Sequence, residues 1–290
     1  MPLLSVLTAA YGPTASFLPQ TASSVLGQRL PPGWELEWIV QEDGDSPELG
    51  TWLGSVERVR YGANGGQFGV AVTRNIALSR ARGELIQLLD HDDLLLPGAP
   101  ETLIPQFTEH PIHWTIGQAD DLLPDGSRRG FPPALPFGIV EPGAVNTWAE
   151  QHDANWPIHC AALMVRASTL RALGGWAASP ADDDIVMFSV LWELTTGYHN
   201  PALTWLYRHH PDQAHRSTEW KTRSELGRRI ALQRLSALRE SGIRMGTDPR
   251  VKPRPCGCKA EKNHSELRVG PPAKADLLSD HHDEDGTPEP

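Results

Sequence analysis

Glu84-Leu85-Ile86-Gln87-Leu88-Leu89-Asp90-His91-Asp92-Asp93 decides how this chain reads. The apolar run up to Leu89 has the length and composition of a short buried strand, and Leu94-Leu95-Leu96-Pro97-Gly98 beyond the acids opens a loop. Three carboxylates and a histidine thus stand where a strand meets the edge of a sheet, the place where open α/β sheets bind ligands. Oxygen ligands crowded there suit a hard divalent cation, Mg²⁺ or Mn²⁺, which in turn can hold a diphosphate. For an isolated Asp-x-Asp a solvated acidic turn is the competing reading, so the surrounding sequence has to decide.

On the N-terminal side, Leu3 to Tyr11 reads as a first buried strand. A helix is expected over residues 14–28, with Phe17, Leu18, Val25 and Leu26 as its apolar positions and Thr14 or Ser16 as its cap. Trp34 to Val40 is a second strand, which runs into the acidic turn segment 41–46. Val56 to Tyr61 is a third, followed by the glycine-rich residues 62–66. Val70 to Arg82 has a helical period with Val72, Ile76, Ala77 and Ala81 on one side, and leads into the strand before Asp90. This order predicts a parallel α/β sheet with ligand loops at its carboxyl edge.

On the C-terminal side a helix is expected over Ala99 to His110. Residues 120–137 are turn-rich, with a hairpin at Pro124-Asp125-Gly126-Ser127. Ala161 to Val165 reads as a strand and Ile185 to Leu194 as a helix. Glu219 to Ser241 reads as a long amphipathic helix with Trp220, Leu226, Ile230 and Leu238 on one side. From Gly246 onward Pro, Gly, His and charge without periodicity predict a disordered tail.

The 290 residues carry a net charge of -10, which argues against a nucleic-acid binder, since phosphate contacts need a basic face. No lysine precedes Lys221, so neither a Schiff-base nor a P-loop lysine is on offer in the first three quarters. With no apolar run near the roughly 18 residues of a membrane span and no basic leader, the chain reads as cytoplasmic and without a transmembrane segment. Cys160, Cys256 and Cys258 make no disulfide framework, and Cys256-Gly257-Cys258 with His264 lacks the second pair that zinc spacing requires.

Taken in order, the motifs resemble those of the inverting family-2 glycosyltransferases of the GT-A fold. The family's first strand ends in Pro-x-Tyr-Asn, here Ala9-Ala10-Tyr11-Gly12, with the proline and asparagine both replaced. Its second ends in Asp-Asp-Gly-Ser, here Glu42-Asp43-Gly44-Asp45. Asn64-Gly65-Gly66, Thr73-Arg74-Asn75, Gly83-Glu84 and the Asp-x-Asp follow, then Gly174-Gly175-Trp176, Ala181-Asp182-Asp183-Asp184 and Tyr207-Arg208-His209-His210. The resemblance spans residues 3–216 and implies a Rossmann-like mixed sheet flanked by helices. The expected organisation is a GT-A domain over residues 1–216, with a nucleotide-binding half (1–97) and an acceptor half (98–216). The amphipathic helix (217–245) and the tail (246–290) follow.

The resemblance also implies roles. Asp43 accepts a hydrogen bond from the nucleotide base while Ala9 and Tyr11 pack against it; by its own sequence Asp43 reads equally as an Asx turn before Gly44. Asp92 is the ligand of Mn²⁺ or Mg²⁺ and Asp90 holds donor hydroxyls, with Asp93 open to either role or to capping the next loop. Arg74 assists at the diphosphate or sits in a surface ion pair, and Asn75 packs or caps. His210 touches the metal or diphosphate, or is a surface histidine, and His159 is placed on the acceptor side. Inversion needs a general base opposite the nucleotide, and Asp182, with Asp183 one register step away, stands at a helix start where such a base can be presented. N-capping is the structural role open to the same residues.

The expected reaction is metal-dependent transfer from a nucleotide sugar, UDP-linked, to an acceptor the sequence does not identify, in natural-product or cell-surface glycan synthesis. A hexosyl or N-acetylhexosaminyl group is expected. A non-catalytic nucleotide or sugar binder of the same fold is the alternative. A phosphatase with an aspartyl nucleophile is disfavoured, because its lysine could only be Lys221, in a helix beyond the core.

Overall fold

The computed structural model describes residues 1–245. The expected tail, with Cys256, Cys258 and His264, lies outside the described residues. Strands are β1 (Leu3–Ala10), β2 (Glu35–Glu42), β3 (Val59–Ala63), β4 (Leu85–Leu88), β5 (Leu94–Leu95), β6 (Trp114–Leu122), β7 (Arg128–Gly130), β8 (Gly138–Val140), β9 (Leu163–Arg166) and β10 (Gly197–Arg208). Helices are α1 (Leu18–Leu26), α2 (Pro47–Gly54), α3 (Val70–Arg80), α4 (Ala99–Leu103), α5 (Gln106–Glu109), α6 (Ala144–Glu150), α7 (Ala167–Ala172), α8 (Asp183–Leu194) and α9 (Thr218–Ser241). One mixed sheet runs β3-β2-β1-β4-β9-β6-β10-β5, with β7 added to β6 and β8 to β10.

The first half is the expected parallel unit. β1 pairs in parallel with β2 and β4, and β2 with β3. Ala10 stands across from Glu42, and Leu7 from Leu88, so the segments after β1, β2 and β4 open on one edge. Leu4, Val6, Trp38, Ile39, Ile86 and Leu88 are buried within this sheet, whose two faces are covered by helices. β9 then inserts antiparallel to both β4 and β6, which makes the sheet mixed.

The pairing that shapes the site is short. β5 runs antiparallel to β10, with Leu94 opposite Leu206 and Leu95 opposite Trp205. The two residues expected to begin a loop therefore form a strand, and that strand sets Asp92 and Asp93 beside Arg208 and His210.

Several boundaries differ from expectation for identifiable reasons. Residues 12–17 form a 3₁₀ turn before α1, and neither Thr14 nor Ser16 caps it; the Thr14 hydroxyl bonds the Tyr11 carbonyl and the His91 ring instead. Pro105 splits the expected 99–110 helix into α4 and α5, because it has no N–H to donate. α2 begins where Ser46, the last residue of the acidic turn segment, accepts from the Leu49 N–H with Pro47 at the first turn, a helix the sequence reading does not assign. β6 extends to Leu122, into the expected turn region, and the tight turn after it joins β7 as a hairpin.

Two helix faces are also rotated. α3 buries Thr73, Arg74, Ala77 and Leu78 while Val72 is exposed. α9 buries Ser224, Gly227, Ala231 and Leu235, and Leu226 faces solvent. Period alone found the helices; polar residues on the inward face hid which side packs. Among the described residues no helix is long and apolar enough to cross a membrane.

Candidate active site

Three consecutive residues of α3 organise the carboxyl edge of the sheet. Thr73 accepts from the Asn64 amide at 2.8 Å, fixing the glycine-rich segment after β3. Asn75 donates to the Trp176 carbonyl at 2.7 Å and accepts from the Trp176 N–H at 3.0 Å, clamping the Gly174-Gly175-Trp176 turn to the helix. A Cβ on Gly175, whose φ is +66°, would lie 2.2 Å from the Asn75 Oδ1, so only glycine fits. Asn75 thus packs as expected of it, reciprocally with its neighbour.

Between them Arg74 points inward. It donates to Asp90 at 2.8 Å and to Asp183 at 3.0 Å, joining the acids after β4 to those at the start of α8. Burial opposes its charge, but the surrounding Asp183 and Asp90 carboxylates outweigh this and hold the guanidinium well above its ordinary value. Arg74 is buried and in two ion pairs, so the surface-pair reading of it is set aside.

The Asp-x-Asp region holds three differently situated carboxylates. Burial pushes Asp90 up, yet Arg74 above all holds it below the usual carboxylate range. Asp92 lies 2.8 Å from the His210 Nε2, so the two residues expected to meet a metal stand together. His210 is buried, not at the surface, and its Nδ1 has no partner. Asp93 is almost fully buried; one oxygen accepts from the Arg208 N–H at 2.9 Å and the other has no partner. Burial and the neighbouring Asp92 and Asp90 charges push Asp93 well above the usual range. Asp93 therefore belongs to the cluster and does not merely cap a loop.

Asp90, Asp93 and His159 offer ligand atoms within 4.8 Å of one another. Nδ1 of His159 is buried and unpartnered, and burial holds the ring below its ordinary value, which keeps it neutral as a metal ligand must be. The donor set is carboxylate oxygen plus imidazole nitrogen, a combination that Mn²⁺ or Mg²⁺ accepts. Orphaned buried atoms on Asp93, His159 and His210 are the sign that this chain's residues fit a cation. No sequence spacing announced His159; its neighbour in chain order, Cys160, is buried, and burial pushes its thiol well above the ordinary value.

The expected nucleotide contacts lie along the same edge. Tyr11 is partly exposed at the end of β1, and Ala9 precedes it. Asp43 is buried and accepts from the backbone N–H groups of Phe68 and Gly69, at 2.6 and 3.0 Å, and from the Asn64 amide. Gly69 sits at φ +91°, where it can turn its N–H onto that carboxylate before α3 begins. The contacts are to a segment more than twenty residues away, which replaces the local Asx-turn reading of Asp43. The His91 ring bonds the Thr14 hydroxyl at 3.0 Å and adds favourable charge to Asp90.

The three aspartates at the start of α8 have three environments. Asp182, at φ +52°, sends its carboxylate to α9, where it accepts from Ser224 at 2.5 Å and from Arg228 at 3.3 Å. α9 can come so near because residue 227 is glycine: a Cβ there would lie 2.3 Å from the Ala181 carbonyl. Asp182 occupies the N-cap position without a side-chain cap bond. Asp183 pairs with Arg74. Asp184 is left with one bond, from the Ile185 N–H at 2.9 Å, and burial followed by the Asp183 charge pushes it to about 7.

The sequence signature described as Glycosyl transferase family 2 matches residues 5–135. The uncharacterized protein y4gI of Sinorhizobium fredii (strain NBRC 101917 / NGR234) is 32% identical over 132 residues, 44% of this chain and 14% of that protein. The solved structure of S. aureus TarS 1-349 in complex with UDP-GlcNAc superposes with a TM-score of 0.59 at 15% identity, covering 73% of this chain and 60% of that one. A second structure of S. aureus TarS 1-349 gives 0.58 at 15% identity, over 72% and 60%. The chain thus spans less than two thirds of each of these relatives. Matching sequence over β1 to β6 and matching topology over most of the described sheet lead to one assignment: residues 5–135 bear the glycosyl transferase family 2 signature, on a chain of the GT-A fold.

Proposed function

We propose that this domain transfers a sugar from a UDP-linked donor to an acceptor hydroxyl, with inversion and with a divalent cation. The observation that carries the reading is the acidic cluster at the end of β4, bridged by Arg74 to the aspartates that open α8. One half of that arrangement suits a diphosphate and the other a proton acceptor. The TarS structure holding UDP-GlcNAc lends support to the choice of donor class.

In this reading Ala9, Tyr11 and Asp43 line the nucleotide end. The Asp43 oxygens keep lone pairs for a base N–H beyond those engaged by Phe68 and Gly69. Asp92 and His210, with Asp90, Asp93 and His159 beside them, hold Mn²⁺ or Mg²⁺, which supplies positive charge against the diphosphate. Arg74 orients Asp90 and Asp183.

The acceptor oxygen forms a bond to the anomeric carbon as the bond from that carbon to the diphosphate oxygen breaks. The nucleoside diphosphate leaves with the electron pair, and the acceptor proton passes to an aspartate of the α8 start. Asp182 and Asp183 are both engaged by basic partners, so we assign the proton to Asp184, whose value near 7 matches what a base working at neutral pH needs. Domain halves at 1–97 and 98–216 follow from the same division of labour.

Incubating the protein with a panel of nucleotide sugars, with Mn²⁺ or with EDTA, and measuring nucleotide release tests the function. Metal-dependent release from a UDP-sugar is the expected result. Absence of release from every donor, by a folded protein, overturns it.

A further inference from the structure

A cavity of about 310 Å³ lies between β6, the segment 131–135 and β10, and apart from His159 at one end no residue of the donor or metal arrangement lines it. His159 and Tyr207 line it, and His159 also belongs to the acidic cluster, so one end of the cavity abuts the place assigned to the leaving diphosphate. Resting on the proposed function, we propose that this cavity is the acceptor subsite and that it takes a planar aromatic group carrying the hydroxyl to be glycosylated.

The lining decides the chemistry. Ile116, Ala119, Pro133, Leu135, Ile158 and Trp205 make its walls. Few of its polar atoms are open to an occupant: Trp205 Nε1 and His159 Nδ1 have no partner but are closed off from solvent, and Asp121 and His199 are engaged by neighbours. Asp121 is bound by Arg129 at 2.6 Å and by His209 at 3.0 Å. The His199 ring bonds the Leu135 carbonyl at 3.1 Å. Gln118 keeps a side-chain amide without a partner among the described residues, enough to orient one hydroxyl but not the several of a sugar. A hydroxyl buried without a partner loses its hydrogen bonds to water and gains none, so a saccharide acceptor with several of them would bind poorly here.

Shape agrees. His159 stacks on Trp205 with centroids 5.2 Å apart, and Tyr207 tilts against the His159 ring at 4.7 Å, giving a stiff aromatic wall. Pro132 and Pro133 stiffen the opposite side. Since a cavity of about 150 Å³ accommodates benzene, twice that volume accommodates a fused bicyclic ring.

The test uses 2-naphthol as the probe and Ala134→Trp as the variant. Ala134 is exposed and borders the cavity mouth, so a larger side chain there narrows the entrance without entering the core. Saturation-transfer NMR on the full chain, without donor, should show saturable 2-naphthol binding that weakens at least tenfold in the variant. Melting temperature and Mn²⁺-dependent UDP affinity should stay unchanged. With a UDP-sugar and Mn²⁺, 2-naphthol should speed nucleotide release more than methyl β-glucoside does. Naphthol binding unaffected by Ala134→Trp, or stronger stimulation by the glucoside, overturns the proposal. If no donor is turned over at all, the transferase reading fails, while the binding arm still decides what the cavity holds.

Discussion

Asp184→Asn separates charge from shape at the start of α8. Holding a carboxyl whose ordinary value is 3.8 at about 7 corresponds to roughly 4 kcal/mol against its ionised form, an upper figure because neighbouring charges relax. Since the folded value lies above the ordinary one, the stability linked to this proton is fully present below 3.8. It is lost as pH rises through about 7. Asparagine keeps the oxygen that accepts from the Ile185 N–H and never ionises. The variant should therefore match wild type near pH 4 and exceed it by about 2–4 kcal/mol at pH 8. For a domain of this size that is a rise of at least about 4 °C in melting temperature. Transfer should fall by about 10²-fold or more with UDP affinity intact, and the wild-type rate should climb with pH through about 7. Thermal scans at both pH values and a steady-state transfer assay supply the readings. Equal stability at pH 8 would refute the buried-charge reasoning. Transfer within threefold of wild type would remove Asp184 as the base.

Asp182→Asn serves as the companion: asparagine tolerates the positive φ and still accepts from Ser224, so transfer should stay within a few-fold. A loss near 10²-fold at unchanged donor affinity would return the base to Asp182. Asp92→Asn should weaken UDP binding at least tenfold in Mn²⁺ but not in EDTA, by calorimetry; equal loss in both would show that no cation acts through Asp92. Gly227→Ala places a methyl 2.3 Å from the Ala181 carbonyl and should lower stability by about 1–3 kcal/mol, read by urea denaturation. An unchanged midpoint would contradict the close approach of α9 to that segment.

The first half of the fold was legible because its signals are local. Continuous apolar runs at Leu3 and Leu85 mark buried parallel strands, and the acids after Leu89 mark the ligand edge. The second half was less so. β10 alternates poorly, being interrupted by Asn200 and Pro201 and by register shifts against β6, and β9 is only four residues long. In the site, the Asp92–His210 meeting follows from motifs visible in the sequence, although its cause, the pairing of two-residue β5 with β10, is not. His159 could not be found by spacing, since it reaches Asp90 and Asp93 only through the insertion of β9 beside β4. The ranking of Asp182, Asp183 and Asp184 depends on partners in α3 and α9, which no local pattern encodes.

The contact between α9 and Asp182 carries a lesson for anyone recombining this domain with its relatives. A splice placed at residue 216, where the resemblance to the family ends, would strip Ser224 and Arg228 from a buried carboxylate two positions from the assigned base. It would also uncover the seam closed by Gly227. A chimera that exchanges acceptor halves should therefore inherit residues 218–241 from the same parent as residues 181–184. Variation on that helix acts on how firmly the start of α8 is held, without ever meeting a substrate.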